Sequence, residues 1–159
     1  MNVRIRPFHS RDATALYAVY VEAVHIGAAD HYTHAQRLAW APDQPMPDSW
    51  PDKLAALDTW VAEVDGNIAG FMAVTKGGYI DLAFVRPRWM GRAVAQAVYE
   101  RILERARRTG LPRLTAHASH LARRFFARNG WQVDATEIID RNGESLTRFA
   151  MSLTLEGPK

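Results

Sequence analysis

The stretch Arg86–Val98, RPRWMGRAVAQAV, decides how this chain folds, because it joins an apolar strand to a long amphipathic helix. Before it, Tyr79–Val85 is a nearly continuous apolar run, which is typical of a central strand covered on both faces. After it, apolar residues recur at helical spacing from Met90 to Thr109, with arginines on the opposite face. The stretch therefore predicts a strand, a tight turn and a helix whose first N–H groups lie beyond the end of the strand.

A helix that starts in this way is a site for an anion, since its unpaired N–H groups and the positive end of its dipole lie together. Gly91 permits a close approach of the backbone, and Ala93 and Ala95 are small residues that favour helix. Arg88 and Arg92 can add charge-assisted contacts to a phosphate. The same residues also suit an ordinary strand-to-helix connection, so on these grounds phosphate binding and simple packing both stay open.

Apolar patterning predicts the element order β α α β β β α β α β β along the rest of the chain. The predicted strands are Val3–Pro7, Thr59–Val64, Ile68–Val74, Tyr79–Val85, Leu114–Ala118, Val133–Ile139 and Leu146–Leu155. The predicted helices are Arg11–Gly27, with Ser10 as its N-cap, Thr33–Trp40, Met90–Thr109 and Leu121–Arg128, with a short helical turn at Asp52–Leu57. We therefore expect one α/β (α+β) domain over residues 1–159, with a mixed sheet of about seven strands flanked by about four helices.

Composition excludes some classes of function and leaves others open. The chain of 159 residues contains no cysteine, which excludes disulfides and a thiol nucleophile. Its net charge of +3 is compatible with an anionic ligand, with a nucleic acid or with simple solubility. With no secretory signal and no apolar run of about 18 residues, we expect a cytoplasmic protein that does not enter the membrane.

Two blocks of sequence resemble one known family. Val85–Ala95 resembles the acetyl-CoA signature of the GCN5-related N-acetyltransferase (GNAT) family, V-x-P-x-[YW]-Q-G-x-G-[IV]-[GA]. Ala122–Trp131 is similar to the family's block A-x-x-[LF]-[YF]-x-x-x-G-[FW], and Met151 stands in the closing strand, as is common there. The predicted order of elements also agrees, so the resemblance spans the whole chain.

The resemblance implies a twisted mixed sheet splayed between its fourth and fifth strands, with the pantetheine arm of acetyl-CoA in the splay and no metal. The backbone of strand four and the loop after it would hold the co-substrate. The residues that the resemblance assigns to acetyl-CoA are Ala83, Phe84, Val85, Arg88, Met90, Gly91, Arg92, Ala93, Val94, Ala95, Ser119 and Phe126. The first two helices and their loop would form the mouth for the acceptor amine, with His31, Tyr32 and Trp40 as its residues.

Acetyl transfer needs a neutral amine, a donor to the thioester oxygen and a proton for the departing thiolate. Asp81 is the candidate base, and the structural alternative is that it caps or pairs with an arginine. The oxyanion donor is expected to be the N–H of Phe84 or Val85. Tyr79 and Tyr32 are the candidate proton donors. The alternative for each is a structural tyrosine in the core or at the rim of the site.

Three residues of the loop depart from the family signature. Met90 replaces glutamine, Ala93 replaces the second glycine, and Ala95 stands at the last position, where the pattern tolerates alanine. If Ala93 has a positive φ or its Cα touches phosphate, alanine weakens binding, whereas in helical geometry it costs little. Phe126 stands where many members carry a proton-donating tyrosine, although Tyr32–Pro42 resembles a bacterial subgroup with Ser and Phe at the positions of Ser119 and Phe126.

Several alternatives remain at this stage. The departures leave open a CoA-binding protein without activity. A basic helix surface leaves open nucleic-acid binding through Arg101, Arg105, Arg107, Arg108, Arg123, Arg124 and Arg128. The pairs His31 with His34 and His117 with His120 have a spacing compatible with a metal, but no third ligand accompanies them, so no metal is expected. An aromatic acceptor pocket competes with core packing for Trp40, Trp50 and Trp60, and a homodimer is left open.

Overall fold

Seven strands form one mixed sheet in the order β1-β2-β3-β4-β5-β7-β6. The computed structural model describes residues 2–155, and Met1 and residues 156–159 of the predicted domain lie outside that range. The strands are β1 (Val3–Pro7), β2 (Asp58–Val64), β3 (Asn67–Val74), β4 (Tyr79–Val85), β5 (Arg113–Ala118), β6 (Gln132–Arg141) and β7 (Glu144–Thr154). All seven predicted strands are confirmed, and β4 has the predicted bounds.

Five α-helices flank the sheet within residues 2–155. They are α1 (Ala13–Glu22), α2 (His34–Trp40), α3 (Ser49–Ala56), α4 (Val94–Arg108) and α5 (His120–Arg128). The additional helix is α3, where the turn predicted at Asp52–Leu57 is a helix that begins at Ser49. Pro51 lies in its first turn, where the missing N–H costs no hydrogen bond. None of the helices in this part of the chain is long and apolar enough to cross a membrane.

The start of α1 differs from the prediction. Ser10 is not the N-cap of α1; it opens a 3-10 turn that ends at Asp12. The Asp12 carboxylate accepts the His9 N–H at 2.8 Å and pairs with the Arg6 guanidinium at 2.8 Å, and these bonds fix the entry into the helix. At its other end, Ala23–Gly27 continues α1 as a π-helical turn, so the helical segment ends where predicted.

Strands β4 and β5 separate soon after they meet. Only Tyr79 and Ile80 of β4 lie opposite residues of β5, in parallel register. A bulge follows at Asp81, and Leu82–Val85 then pairs with β3 but not with β5. The splay that the resemblance implies is therefore confirmed.

The helices cover both faces of the sheet. Helices α4 and α5 pack on one face, in the core that contains Trp60 and Phe126. Helices α1 and α3 pack on the other, in a second core that contains Trp50 and Val61. Trp60 and Val61 are neighbours in β2, so their side chains point to opposite faces. The splay between β4 and β5 therefore lies in a sheet that carries a helical layer on each face.

Candidate active site

The loop after β4 is longer than predicted, because α4 begins at Val94 and not at Met90. Pro87–Trp89 forms a 3-10 turn, and the chain then passes through two left-handed residues. Gly91 has φ +73° and Ala93, the N-cap of α4, has φ +64°. A left-handed residue cannot belong to a right-handed helix, which is why the helix starts four residues late.

This loop presents a cluster of unused backbone donors. Met90 and Arg92 donate their N–H groups to Pro87 and Trp89 within the loop. Among the residues that the structure describes, five N–H groups at the junction donate to no backbone carbonyl: Gly91, Ala93, Val94, Ala95 and Gln96. Successive N–H groups around left-handed residues form a concave nest that binds anions, and the start of α4 adds its dipole.

Two of the departures from the family pattern have visible consequences. Ala93 has the positive φ for which alanine is unfavourable, at a cost of roughly 1–2 kcal/mol relative to glycine. The Met90 side chain lies against Gly27 at the end of the π-helical turn, where a Cβ on Gly27 would overlap it. Met90 therefore joins the loop to the end of α1 through packing.

Two cavities meet across the splay. One, of about 410 Å³, is lined by the loop and the start of α4, including the predicted Met90, Gly91, Ala93, Val94 and Ala95; we call it the loop cavity. The other, of about 400 Å³, lies on the α1–α3 face and is lined by Tyr79 and Asp81; we call it the aromatic cavity. Six residues line both: Trp40, Ala83, Phe84, Ser119, Ala122 and Phe126.

The wall between the cavities contains five of the predicted residues, namely Trp40, Ala83, Phe84, Ser119 and Phe126. Ser119 caps α5, since its hydroxyl oxygen accepts the Ala122 N–H at 3.2 Å. Phe126 is buried against Trp131, with 4.4 Å between ring centroids, and has no group that could give a proton. Phe84 extends from β4 onto the Tyr20 ring at 5.1 Å.

The backbone of β4 has one edge directed into the splay. N–H groups alternate in direction along an extended strand. The Arg86 N–H donates to the Ala69 carbonyl of β3 at 2.7 Å, so the Phe84 N–H also faces β3. The N–H groups of Ala83 and Val85 therefore face the splay. Of the two predicted oxyanion donors, this geometry disfavours Phe84 and leaves Val85.

Asp81 lies at the bulge of β4 and lines the aromatic cavity. Its Oδ2 is 3.6 Å from Lys53 Nζ of α3, and 31% of its side chain is exposed. The predicted alternative was a cap or a pair with an arginine, whereas the ion-pair partner is a lysine. A carboxylate on a bulge is aimed away from the regular ladder, which brings it to the edge of the cavity.

Tyr79 belongs to a chain of polar side chains that the sequence did not reveal. Its hydroxyl lies 2.8 Å from His117 Nδ1, and His117 Nε2 lies 3.7 Å from Glu137 Oε1. Arg148 Nε donates to the same oxygen of Glu137 at 2.8 Å. Burial and the negative charge of Asp81 raise the pKa of Tyr79 above its usual range, so its hydroxyl is protonated at neutral pH.

No short motif links these residues, because they come from four strands. Sheet register brings them together: Glu137 lies opposite Arg148, and His117 lies opposite Ala150 on the same face. In the sequence, His117 lies between two alanines of β5. This alternation indicates that the His117 side chain lies on the face of the sheet opposite to the alanines, but it does not indicate which residues it contacts.

The floor of the aromatic cavity is a cluster of rings. Trp50 stacks on Tyr20 with 5.6 Å between centroids, and Tyr17 meets the Trp50 ring edge-on at 5.4 Å. Trp40 also lines the cavity, but Trp60 lies under α4 on the other face of the sheet. Of the three predicted tryptophans, Trp40 and Trp50 line the aromatic cavity, Trp50 packs in the second core as well, and Trp60 packs in the first core.

Of the remaining predicted acceptor residues, Tyr32 lines the aromatic cavity and His31 lines neither cavity. The buried Tyr32 hydroxyl donates to the Thr147 carbonyl at 3.0 Å and accepts the His120 N–H at 3.2 Å. These bonds join Tyr32 to β7 and to the start of α5. Its hydroxyl proton is used in the bond to Thr147, which disfavours Tyr32 as the proton donor. His31 stacks on His120, with 5.4 Å between ring centroids.

Most of the arginines of the predicted basic sites contact aromatic rings or carboxylates. Arg88 and Arg92 lie over the Trp89 ring, at 4.9 and 5.9 Å from its centroid. Of the helix arginines, Arg101, Arg105 and Arg108 pair with carboxylates, and Arg123 lies over a phenylalanine ring. Across residues 2–155, no three His, Cys, Asp or Glu side chains are grouped so as to hold a metal ion.

Comparison with known proteins gives concordant matches. A family model described as "Acetyltransferase (GNAT) domain" matches residues 28–153. The "Uncharacterized N-acetyltransferase YafP" of Escherichia coli (strain K12) is 33% identical over 150 residues, which cover 94% of this chain and 95% of that protein. Among solved structures, a GCN5-related N-acetyltransferase from Rhodopseudomonas palustris is 28% identical with a TM-score of 0.91, covering 98% of this chain and 97% of that one.

A more distant structure has the same fold. The PaiA N-acetyltransferase from Thermoplasma acidophilum, solved in complex with coenzyme A, has a TM-score of 0.81 at 14% identity, covering 98% of this chain and 100% of that one.

Proposed function

The chain belongs to the GNAT acetyltransferase family, and on this premise we propose that it transfers the acetyl group of acetyl-CoA to an amine by direct attack within a ternary complex. The observation that carries the proposal is the meeting of two cavities across the splay, at Ala83 and Phe84. One substrate can enter from each side, and the reacting atoms meet at the shared wall. The chain has no cysteine on which the acetyl group could rest.

In this proposal the loop cavity binds acetyl-CoA. The unused N–H groups between Gly91 and Gln96 hold the pyrophosphate, and the splay-facing backbone of β4 pairs with the pantetheine arm. The thioester lies farther from the pyrophosphate than the pantetheine amides do. We therefore assign the Val85 N–H, the predicted oxyanion donor that faces the splay, to a pantetheine amide. In its place we assign the Ala83 N–H, two residues farther from the loop, to the thioester oxygen.

Asp81 is the proposed base. An alkylamine has a pKa of about 10.4, so at neutral pH the acceptor arrives as an ammonium ion that must lose a proton before it attacks. Such an ion can replace the Lys53 ammonium beside the Asp81 carboxylate, which then takes the proton. The free amine attacks the thioester carbon, and the Ala83 N–H stabilises the oxyanion. As the intermediate collapses, the C–S bond breaks, the departing thiolate takes a proton, and the attacking nitrogen loses its second proton to the group that supplied it.

Tyr79 is the proposed proton donor to the departing thiolate. The Tyr79 hydroxyl lies within hydrogen-bond distance of His117 Nδ1, at 2.8 Å, and His117 Nε2 lies 3.7 Å from Glu137 Oε1. His117 is therefore a positioning residue, which holds the Tyr79 hydroxyl at the edge of the cavity.

The test is thermal stability with acetyl-CoA, followed by thiol release with a panel of primary amines. At a concentration 100 times its Kd, acetyl-CoA should raise stability by about 2.7 kcal/mol, which is a shift in Tm of about 5–10 °C. Stabilisation without turnover of any amine would favour the inactive CoA-binding protein. No stabilisation, together with salt-sensitive retention of DNA or RNA, would favour nucleic-acid binding and contradict the proposal.

A further inference from the structure

The aromatic cavity has an apolar floor and a charged mouth. Trp50 at the floor is 7% exposed and Leu82 is 9% exposed. The groups at the mouth are polar or charged and at least partly exposed, and they are Lys53, Asp81, His117, Arg141 and Arg148. A ligand that fills the cavity therefore buries a flat apolar body against the rings and keeps any charged end at the mouth.

All but one of the charges at the mouth are balanced by a partner. Lys53 pairs with Asp81, and Arg148 pairs with Glu137. Arg141 has no carboxylate within 4.0 Å among the described residues, although Glu144 lies opposite it on β7. The mouth thus has one unbalanced positive charge.

The Arg141 backbone is fixed at this position. It ends β6, and the turn that follows is tied to α2 by the Asn142 side chain, which donates to the Ala39 carbonyl at 2.7 Å. Gln36 of α2 donates back to the Ser145 carbonyl of the same hairpin at 2.9 Å. The guanidinium itself takes part in none of these bonds.

The positive charge of Arg141 acts on two tyrosine hydroxyls inside the cavity. Burial raises the pKa of Tyr20 to about 12, and the positive charge of Arg141 opposes that rise. The same charge acts on Tyr79. Arg141 therefore lies close enough to attract a negative group on a ligand whose body rests on the Tyr20 and Trp50 rings.

We propose that the acceptor is an amine that carries an aromatic body and a carboxylate, and that Arg141 binds this carboxylate. The inference rests on the proposed function for the role of the amine. The amine points to the shared wall beside Asp81, the aromatic body lies on the rings of Tyr20 and Trp50, and the carboxylate pairs with the guanidinium at the mouth. The carboxylate supplies the partner that Arg141 lacks in the free protein, and a guanidinium binds a carboxylate through two parallel hydrogen bonds.

The test compares three amines in the thiol-release assay. 4-(Aminomethyl)benzoate has all three features, 4-(aminomethyl)benzamide lacks the charge, and 5-aminopentanoate lacks the ring. We expect kcat/KM for the benzoate to exceed that for the benzamide by about tenfold or more, which corresponds to one charged hydrogen bond. It should exceed that for 5-aminopentanoate by about tenfold or more as well, because, of these two amines, only the benzoate buries a ring against the floor. In Arg141→Gln the preference for benzoate over benzamide should fall to near one, and Arg141→Lys should keep part of it.

Arg107→Gln is the matched control, because Arg107 is also exposed and lies on α4, away from the aromatic cavity. It should keep the preference of the parent protein. Equal rates for benzoate and benzamide in the parent protein, or an equal fall for both in Arg141→Gln, would overturn the inference while leaving the transferase function intact.

Binding measured by calorimetry keeps the two proposals separable. If acetyl-CoA binds and no amine is turned over, the transferase function fails. The carboxylate site then stands if 4-(aminomethyl)benzoate binds the parent protein and binds Arg141→Gln about tenfold or more weakly. It is overturned if both proteins bind this probe equally or neither binds it.

Discussion

The loop cavity and the aromatic cavity are built in different ways. The loop cavity depends on backbone N–H groups from a continuous stretch, Gly91–Gln96, and on small side chains that leave them accessible. The aromatic cavity depends on individual side chains from α1, α3, β4, β5, β6 and β7. In the loop cavity many backbone groups contribute to binding, so one substitution in the loop should have a modest effect. In the aromatic cavity each chemical role belongs to one side chain, so one substitution among those side chains should have a large effect.

The largest effect is expected for Asp81→Asn. Removal of the base should lower kcat at neutral pH by about 100-fold or more, because general base catalysis contributes at least that much. The thermal shift with acetyl-CoA should stay as in the parent protein. The matched control is Asp58→Asn, which removes another partly exposed carboxylate paired with a cation, Arg105. An unchanged kcat in Asp81→Asn would remove this residue from the mechanism.

Tyr79→Phe should lower kcat by about 10- to 100-fold, since it removes the proton for the thiolate. His117→Ala should have a smaller effect in the parent protein and none in Tyr79→Phe, because it acts only through Tyr79. Stopped assays of kcat in the two single variants and the double variant measure this coupling. Independent, multiplying effects would show that His117 does not work through Tyr79.

The contrast between the cavities also explains what the sequence could predict. The strands follow from local patterns. The splay follows from the family resemblance that a contiguous motif carries, and the family match confirms that resemblance. The start of α4 was predicted four residues too early, because alanine favours helix and nothing local shows that Ala93 is left-handed. Chain-distant partners such as Lys53 and His117 depend on sheet register and helix packing, so no motif reveals them.

The alkaline titration of Tyr20 measures how well the floor of the aromatic cavity excludes water. Burial raises the pKa of this hydroxyl to about 12, so the folded protein favours the protonated form. The stability that Tyr20 contributes should therefore be complete below pH 10 and decline as the pH rises toward 12. Absorbance of tyrosinate should show a component near pH 12 that Tyr20→Phe removes. A component that titrates near pH 10 instead would mean that the floor is hydrated.

Gly91→Ala tests the loop. The new Cβ meets no other atom within 4 Å, so the cost comes from the positive φ and amounts to roughly 1–2 kcal/mol of stability. Acetyl-CoA affinity should fall about tenfold, because the strained loop leaves the conformation that collects the N–H groups. Gly110→Ala is the matched control: Gly110 has φ +76°, is equally open and lies beyond the end of α4. It should lose similar stability without losing affinity.

The smallest effect is expected for Ala93→Gly. Glycine relieves the left-handed strain but also loses more entropy on folding, so stability should rise by no more than about 1 kcal/mol. Acetyl-CoA affinity should rise about two- to fivefold, measured by calorimetry. If neither stability nor acetyl-CoA affinity changes, alanine adopts this left-handed conformation in the loop at no cost, and the loop does not need the second glycine.

Initial-rate kinetics with both substrates varied test the central claim most directly. The claim is that acetyl-CoA and the amine occupy the two cavities together and react across the wall at Ala83 and Phe84. It predicts that double-reciprocal plots against 4-(aminomethyl)benzoate at several fixed acetyl-CoA concentrations intersect. Parallel lines, together with acetylated protein isolated in the absence of amine, would contradict it.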